Sequence, residues 1–141
     1  MESLDRIKDE QSLISLKKSW SDIKHFGWNE FDSPDVKDSG LLMNIEFVKI
    51  LDKLRDLCKF PFFVNSGFRT ADHNATLKGS VNDSAHSSGI ATDIRIDNSH
   101  ERLLIVKFAL IVDIRRIGVA KTFIHLDMDF TKPQEVLWLY P

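Results

Sequence analysis

Apolar positions along this chain fall into two rhythms. Between Met43 and Cys58 they recur every three or four residues, at Met43, Phe47, Ile50, Leu51, Leu54 and Cys58. Glu46, Lys49, Asp52, Lys53 and Asp56 fill the positions between, which predicts an amphipathic helix that stops at Lys59 and Pro61. A second helix is predicted behind a cap at Asn98 or Ser99, with Glu101 close enough to assist. Its stripe is Leu104, Phe108, Ile111 and Val112, and Gly118 is its expected exit. Elsewhere the period is two. "GIATDIRID" sets Ile90, Thr92, Ile94 and Ile96 against Ala91, Asp93 and Arg95, and "TFIHLDMD" sets Thr122, Ile124 and Leu126 against Phe123, His125, Asp127 and Asp129. "FFVNSGFR" reads as a short buried strand turning at Ser66-Gly67, and "PQEVLWLY" as a last strand or terminal segment.

The remaining stretches connect these elements. "TADHNATLKGSVNDS" is a long polar connection with room for one helical turn, and "FGWNEFDSPDVKDSG" is a loop pinned by Phe26, Trp28 and Phe31. Residues 1–24 are charged and mildly amphipathic through Leu4, Ile7, Leu13 and Ile14, a pattern open to a helix or to a docked arm. The order helix, strand, long loop, strand, helix, strand, strand predicts an α+β fold: a single small domain with an antiparallel or mixed sheet and flanking helices.

Composition narrows the function classes. The formal net charge of −2 gives no general electrostatic reason to expect nucleic acid, and pairs such as Arg115-Arg116 read as solvated surface. No run approaches the roughly 20 apolar residues of a membrane span. "MESLDRIKDEQ" lacks an apolar signal core, so the chain is expected to be made in the cytoplasm and to need release or delivery to reach any target in the cell wall. The single cysteine, Cys58, excludes an intrachain disulfide and multi-cysteine zinc patterns, and its place in the helical stripe reads as core.

Five histidines remain: His25, His73, His86, His100 and His125. His25 and His100 lie near a loop and a helix start, where local roles suffice. His86 and Asp93 differ. Asp93 interrupts a largely apolar strand, and a buried carboxylate needs a cation, donors or a metal. A fold-back at Gly89 would bring His86 to the same point, and His125 offers a third donor on a face shared with Asp127. Two histidines and a carboxylate leave zinc an open position, as catalytic zinc requires. A buried polar network is the alternative.

These residues also carry a resemblance. "SAHSSGIATD" fits S-x-H-x-x-G-x-A-x-D, the zinc-binding signature of the zinc D-alanyl-D-alanine carboxypeptidase family, which includes D-Ala-D-Ala dipeptidases and cell-wall endopeptidases and shares its fold with the hedgehog signalling domain. "VNSGFRT" resembles the family's substrate-binding arginine segment, followed by "DHNA", and "FIHLDMD" resembles the segment with the second histidine ligand. "FDSPD" and "VLWLY" look like a compact bacterial and phage branch. The resemblance covers about residues 26 to 140, so residues 1–25 are expected to be an N-terminal extension and 26–141 the zinc-peptidase-like domain.

The resemblance implies zinc held by His86, Asp93 and His125, a substrate carbonyl or carboxylate bound by Arg69, and a substrate hydrogen bond from Ser84. Its implied substrates are peptidoglycan peptides containing D-amino acids. Arg69 pairing with an acid, and Ser84 as a turn residue, are the structural alternatives. One position departs from the pattern. Where many members carry a Glu or Asp base, three residues before the second histidine, this chain has Thr122. Asp127 is the nearest replacement, either as base or as the group that orients His125 through its ring N–H, and the loop carrying His73 is another polar candidate. The missing acid leaves two readings: a zinc metallopeptidase, or a zinc-stabilised domain that grips wall peptides without cutting them.

Overall fold

The computed structural model describes residues 3–77, 79 and 84–141. Its centre is a five-stranded mixed sheet in the order β1-β2-β4-β3-β5, built from β1 (Val64–Ser66), β2 (Ala91–Arg95), β3 (Arg116–Val119), β4 (Phe123–Asp127) and β5 (Val136–Leu139). The β1–β2, β2–β4 and β3–β4 pairs are antiparallel, and β3–β5 is parallel. The helices are α1 (Ser3–Arg6), α2 (Glu10–Ser19), α3 (Ile45–Cys58), α4 (Ala71–Ala75) and α5 (Ser99–Ile111). The α+β class expected from the two rhythms is the class observed.

Local chemistry accounts for the helix ends. Asn44 accepts from the Phe47 amide to open α3, and Lys59 closes it in the left-handed region at φ 61°. Asn98 does the same for α5 through the Glu101 amide, while the Glu101 carboxylate accepts from the Asp97 amide. Phe47, Val48, Leu51, Leu54 and Cys58 of α3 are buried, as are Ile105 and Ala109 of α5. Burial pushes the Cys58 thiol up to about 11, which fits a packing role rather than a reactive one. Beneath the helices lie Thr92, Ile94, Ile117, Ile124 and Leu126, each at most 1% exposed. Each such aliphatic side chain stabilises the fold by about 1.5–3 kcal/mol.

The N-terminal segment is helical and docked. Trp20 is buried and meets Phe31 at 5.8 Å and Trp28 at 6.4 Å, and Leu4, Ile7, Leu13 and Leu16 pack against the same core. Phe26 and Phe31 pin their loop as expected.

Two expectations fail at α5. Ile111 is 63% exposed rather than part of the buried stripe, because the helix buries Ile105 and Ala109 instead. Gly118 is no helix exit: the helix stops at Ile111, a turn with Asp113 at φ 68° follows, and Gly118 lies within β3. Of the long polar connection after β1, Ala71–Ala75 forms the single helical turn expected, while Lys78 and residues 80–83 lie outside the described residues.

Candidate metal centre

Period-two alternation builds the site. On β2 and β4 the residues out of phase with the buried row are Asp93, His125 and Asp127, which point to the sheet face opposite the helices. The register sets Asp93 beside His125 and Ala91 beside Asp127. β1 ends in an irregular register between Val64 and Ser66, which bends the chain at Ser66-Gly67 toward the same face.

His86 comes from the turn after Ser84. Gly89 closes that turn at φ 72°, and its carbonyl accepts from the Asn44 amide at 2.8 Å. A Cβ on Gly89 would lie 2.6 Å from the Leu42 carbonyl oxygen, so glycine is required here on both counts. The fold-back expected at this glycine therefore exists, and it returns His86 to β2.

The three donors meet. His125 Nδ1 lies 2.9 Å from Asp93 Oδ1, His86 Nε2 lies 3.4 Å from Asp93 Oδ2, and one ligand atom from each residue falls within 4.8 Å of the others. The opposite ring nitrogens are committed outward. His86 Nδ1 donates to the Gly67 carbonyl at 2.9 Å, and His125 Nε2 donates to Asp127 Oδ2 at 2.7 Å. Each imidazole is thus oriented from behind, so that its inner nitrogen faces Asp93 and can give a lone pair to a metal once any proton there is lost. An N, N, O donor set with both histidines oriented from behind fits a divalent zinc-type cation.

Electrostatics agree with the geometry. Burial raises the Asp93 pKa, but hydrogen bonds from His125 and His86 and the charge on those rings outweigh it and hold the carboxyl well below the usual range. For His125, burial lowers the pKa, and the bonds to Asp127 and Asp93 reverse the shift so that it is raised. Without a metal, a proton shared with these carboxylates takes the place of the cation.

The cluster lies in a cleft of about 560 Å³. Arg69 lines it, anchored by Nη1 to Asn74 Oδ1 and Nη2 to Ser66 Oγ, both at 3.2 Å. Among the described residues Arg69 has no carboxylate within ion-pairing distance, so it does not pair with Asp93. Ser84 is buried at the cleft wall and also accepts from the His86 amide at 3.3 Å, so it holds the turn as well as lining the site. Asp127 is 1% exposed and has both oxygens engaged, Oδ2 by His125 and Oδ1 by Arg116 Nε at 2.8 Å and the Asp129 amide at 3.0 Å.

Other candidates lie elsewhere. Thr122 is exposed and not among the cleft residues; its carbonyl accepts from the Ile96 amide. Asp129 turns to Thr131 and Lys132 instead of the cluster. The His73 amide donates to Thr70 Oγ1 at the start of α4, His25 contacts Asp56 at 2.6 Å, and His100 is exposed in the first turn of α5. Cleft residues whose role went unread in the sequence include Arg116, taken for surface, and Trp138 and Tyr140, read only as part of a last strand or terminal segment. Trp138 lies tilted against the His125 ring at 5.4 Å, and Tyr140 meets Phe123 at 5.2 Å. The usable signal was "RIGV", where Arg116 and Gly118 alternate with Ile117 and Val119 as a strand's two faces do.

The family model for Peptidase M15 matches residues 20–127. The chain belongs to the peptidase M15 family. No curated protein matches it. The M15 match contains Arg69, Ser84, all three clustered donors and Asp127, and it stops before Trp138 and Tyr140. M15 peptidases are typically metal-dependent, in keeping with the His–Asp–His cluster.

Proposed function

We propose that this M15 chain is a zinc metallopeptidase that hydrolyses peptide bonds in D-alanine-containing peptidoglycan stem peptides, as a carboxypeptidase or an endopeptidase. The carrying observation is the pair of imidazoles whose outer nitrogens are tied to Gly67 and Asp127 while their inner nitrogens face Asp93. His86, Asp93 and His125 would hold the metal. When bound, zinc supplies Lewis acidity toward a carbonyl oxygen and lowers the pKa of water toward neutrality.

The chain's own residues do the rest. Arg69, already braced by Asn74 and Ser66, presents a guanidinium to a substrate carbonyl or carboxylate and offsets negative charge that develops there. Ser84 offers its hydroxyl at the cleft wall. Phe123, Trp138 and Tyr140 form an apolar wall that limits water near the donors. Of the two roles open to Asp127, orienting His125 fits better than accepting a substrate-side proton, since both of its oxygens are engaged and it is buried behind the ring.

A second reading has its own support. Thr122 is exposed and outside the cleft, and among the described residues the cleft carboxylates, Asp93 and Asp127, are both committed to histidines. That favours a zinc-stabilised domain that binds wall peptides without hydrolysing them. Incubating the zinc-loaded protein with muropeptides separates the readings: the peptidase releases D-alanine or cleaved stem peptides. Tight peptide binding with no turnover across roughly pH 5 to 9, a range spanning water on zinc and raised carboxylates, leaves the binding domain.

A further inference from the structure

Behind the donor cluster runs a second layer of contacts that starts on β3. Arg116 is a largely buried cation, its side chain 12% exposed. Its Nε donates to Asp127 Oδ1 at 2.8 Å and its Nη1 to the Pro133 carbonyl at 2.6 Å. Its guanidinium lies 5.0 Å from the centre of the Trp138 ring. Three elements thus fix one fork: β4 through Asp127, the turn before β5 through Pro133, and β5 through Trp138. The register places Arg116 directly across from Asp127 on one side and Val136 on the other.

The next link is equally short. The other oxygen of Asp127 meets His125 Nε2 at 2.7 Å, and the far nitrogen of that ring faces Asp93. A carboxylate held by a single imidazole could swing about its Cα–Cβ bond. Held on its other oxygen by a braced guanidinium and the Asp129 amide, it cannot.

From this geometry we infer that Arg116 is a positioning residue for the metal centre, acting through Asp127 to fix the tautomer and the aim of His125. The inference rests on the zinc-site reading proposed above. It also gives Trp138 a task, because the indole that flanks the His125 ring is the surface on which the guanidinium lies.

Simple charge arithmetic predicts the opposite sign. Removing a cation near a dication site should tighten metal binding, because one repulsion is lost. Loss of a positioning residue should weaken it. Zinc affinity, measured by competition against a chromophoric chelator with no substrate present, therefore distinguishes the two. Outer partners of ligating histidines shift metal affinity by about 10–100-fold, so Asp127→Asn should fall in that range and Arg116→Met should weaken zinc by roughly tenfold. In the Asp127→Asn background, Arg116→Met should add no further loss. Arg116→Lys keeps the charge without the fork and should fall between wild type and Arg116→Met, which serves if the methionine variant folds poorly. Wild-type affinity or tighter binding in both single Arg116 variants overturns the inference, as does an undiminished loss in the Asp127→Asn background. If the wild-type protein itself fails to bind zinc, the fault lies with the zinc-site reading.

Discussion

On β4, Ile124 and Leu126 are completely buried against the helical layer, while His125 and Asp127, one residue out of phase, face the cleft. The same alternation governs both faces of the sheet. On the helix face, neighbours are interchangeable aliphatics, and stability is shared among many of them. On the cleft face the charged residues of β2 and β4 have named partners: Asp93 with two histidines, His125 with two aspartates, Asp127 with Arg116. A side chain lost from the first face leaves a void. One lost from the second leaves an orphaned charge or an unaimed ring.

Substitutions on each face test that contrast. The largest effect is expected from His86→Ala, which removes a donor from a turn outside the core; the protein should fold, retain no zinc after dialysis and show no turnover on muropeptides. Zinc content by elemental analysis decides it, and stoichiometric zinc in this variant would break the contrast. Ile124→Ala should do the reverse, costing about 2–5 kcal/mol in denaturant unfolding while the folded fraction still binds one zinc per chain. Gly118→Ala sits on the boundary. Its Cβ would lie 2.6 Å from Trp138 Nε1, on β5, and 2.7 Å from a ring carbon of Tyr140, just beyond it. Overpacking of this kind costs about 1–3 kcal/mol; substrate KM should rise, and zinc affinity should fall because Trp138 flanks His125 and carries the Arg116 guanidinium.

The smallest effect is one of pH. The carboxylates of Asp127 and Asp93 raise His125 despite its burial. A raised histidine contributes stability to the zinc-free fold that is full below its unfolded pKa of about 6.5 and is lost as pH rises through the folded value. Zinc must also displace that proton. The gain in Tm on adding zinc should therefore grow from about pH 6 to about pH 8, and a gain that stays flat over that range would argue against His125 as a donor.

Much of this was legible in the sequence, for reasons that differ by element. β2 and β4 alternate over five residues each and carry polar residues that an apolar strand does not tolerate without cause, so Asp93 and His125 announced themselves. Gly89 marked the fold-back because its backbone leaves no alternative residue. β3 was missed because it is four residues long and begins with an arginine that, beside Arg115, looks like surface. Its burial depends on Asp127 and Trp138, which lie 11 and 22 positions further along the chain. No local pattern encodes such a partnership. Ile111 misled for the opposite reason: helical spacing gives the period of a buried stripe but leaves its phase to whatever α5 packs on, and α5 packs through Ile105 and Ala109.

The strand order carries one more consequence. β2 and β4, on which Asp93 and His125 sit, have paired strands on both sides, whereas β1 and β5 are the edges. Arg69 follows one edge, and Trp138 and Tyr140 are delivered by the other. Edge amides open by local fraying, while those of central strands exchange with solvent only when much of the domain opens. Hydrogen–deuterium exchange should therefore show long amide lifetimes at Asp93 and His125 and short ones at the cleft walls. A cleft clocked in this way can admit substrates of differing bulk between its walls while the donors at its floor keep their spacing.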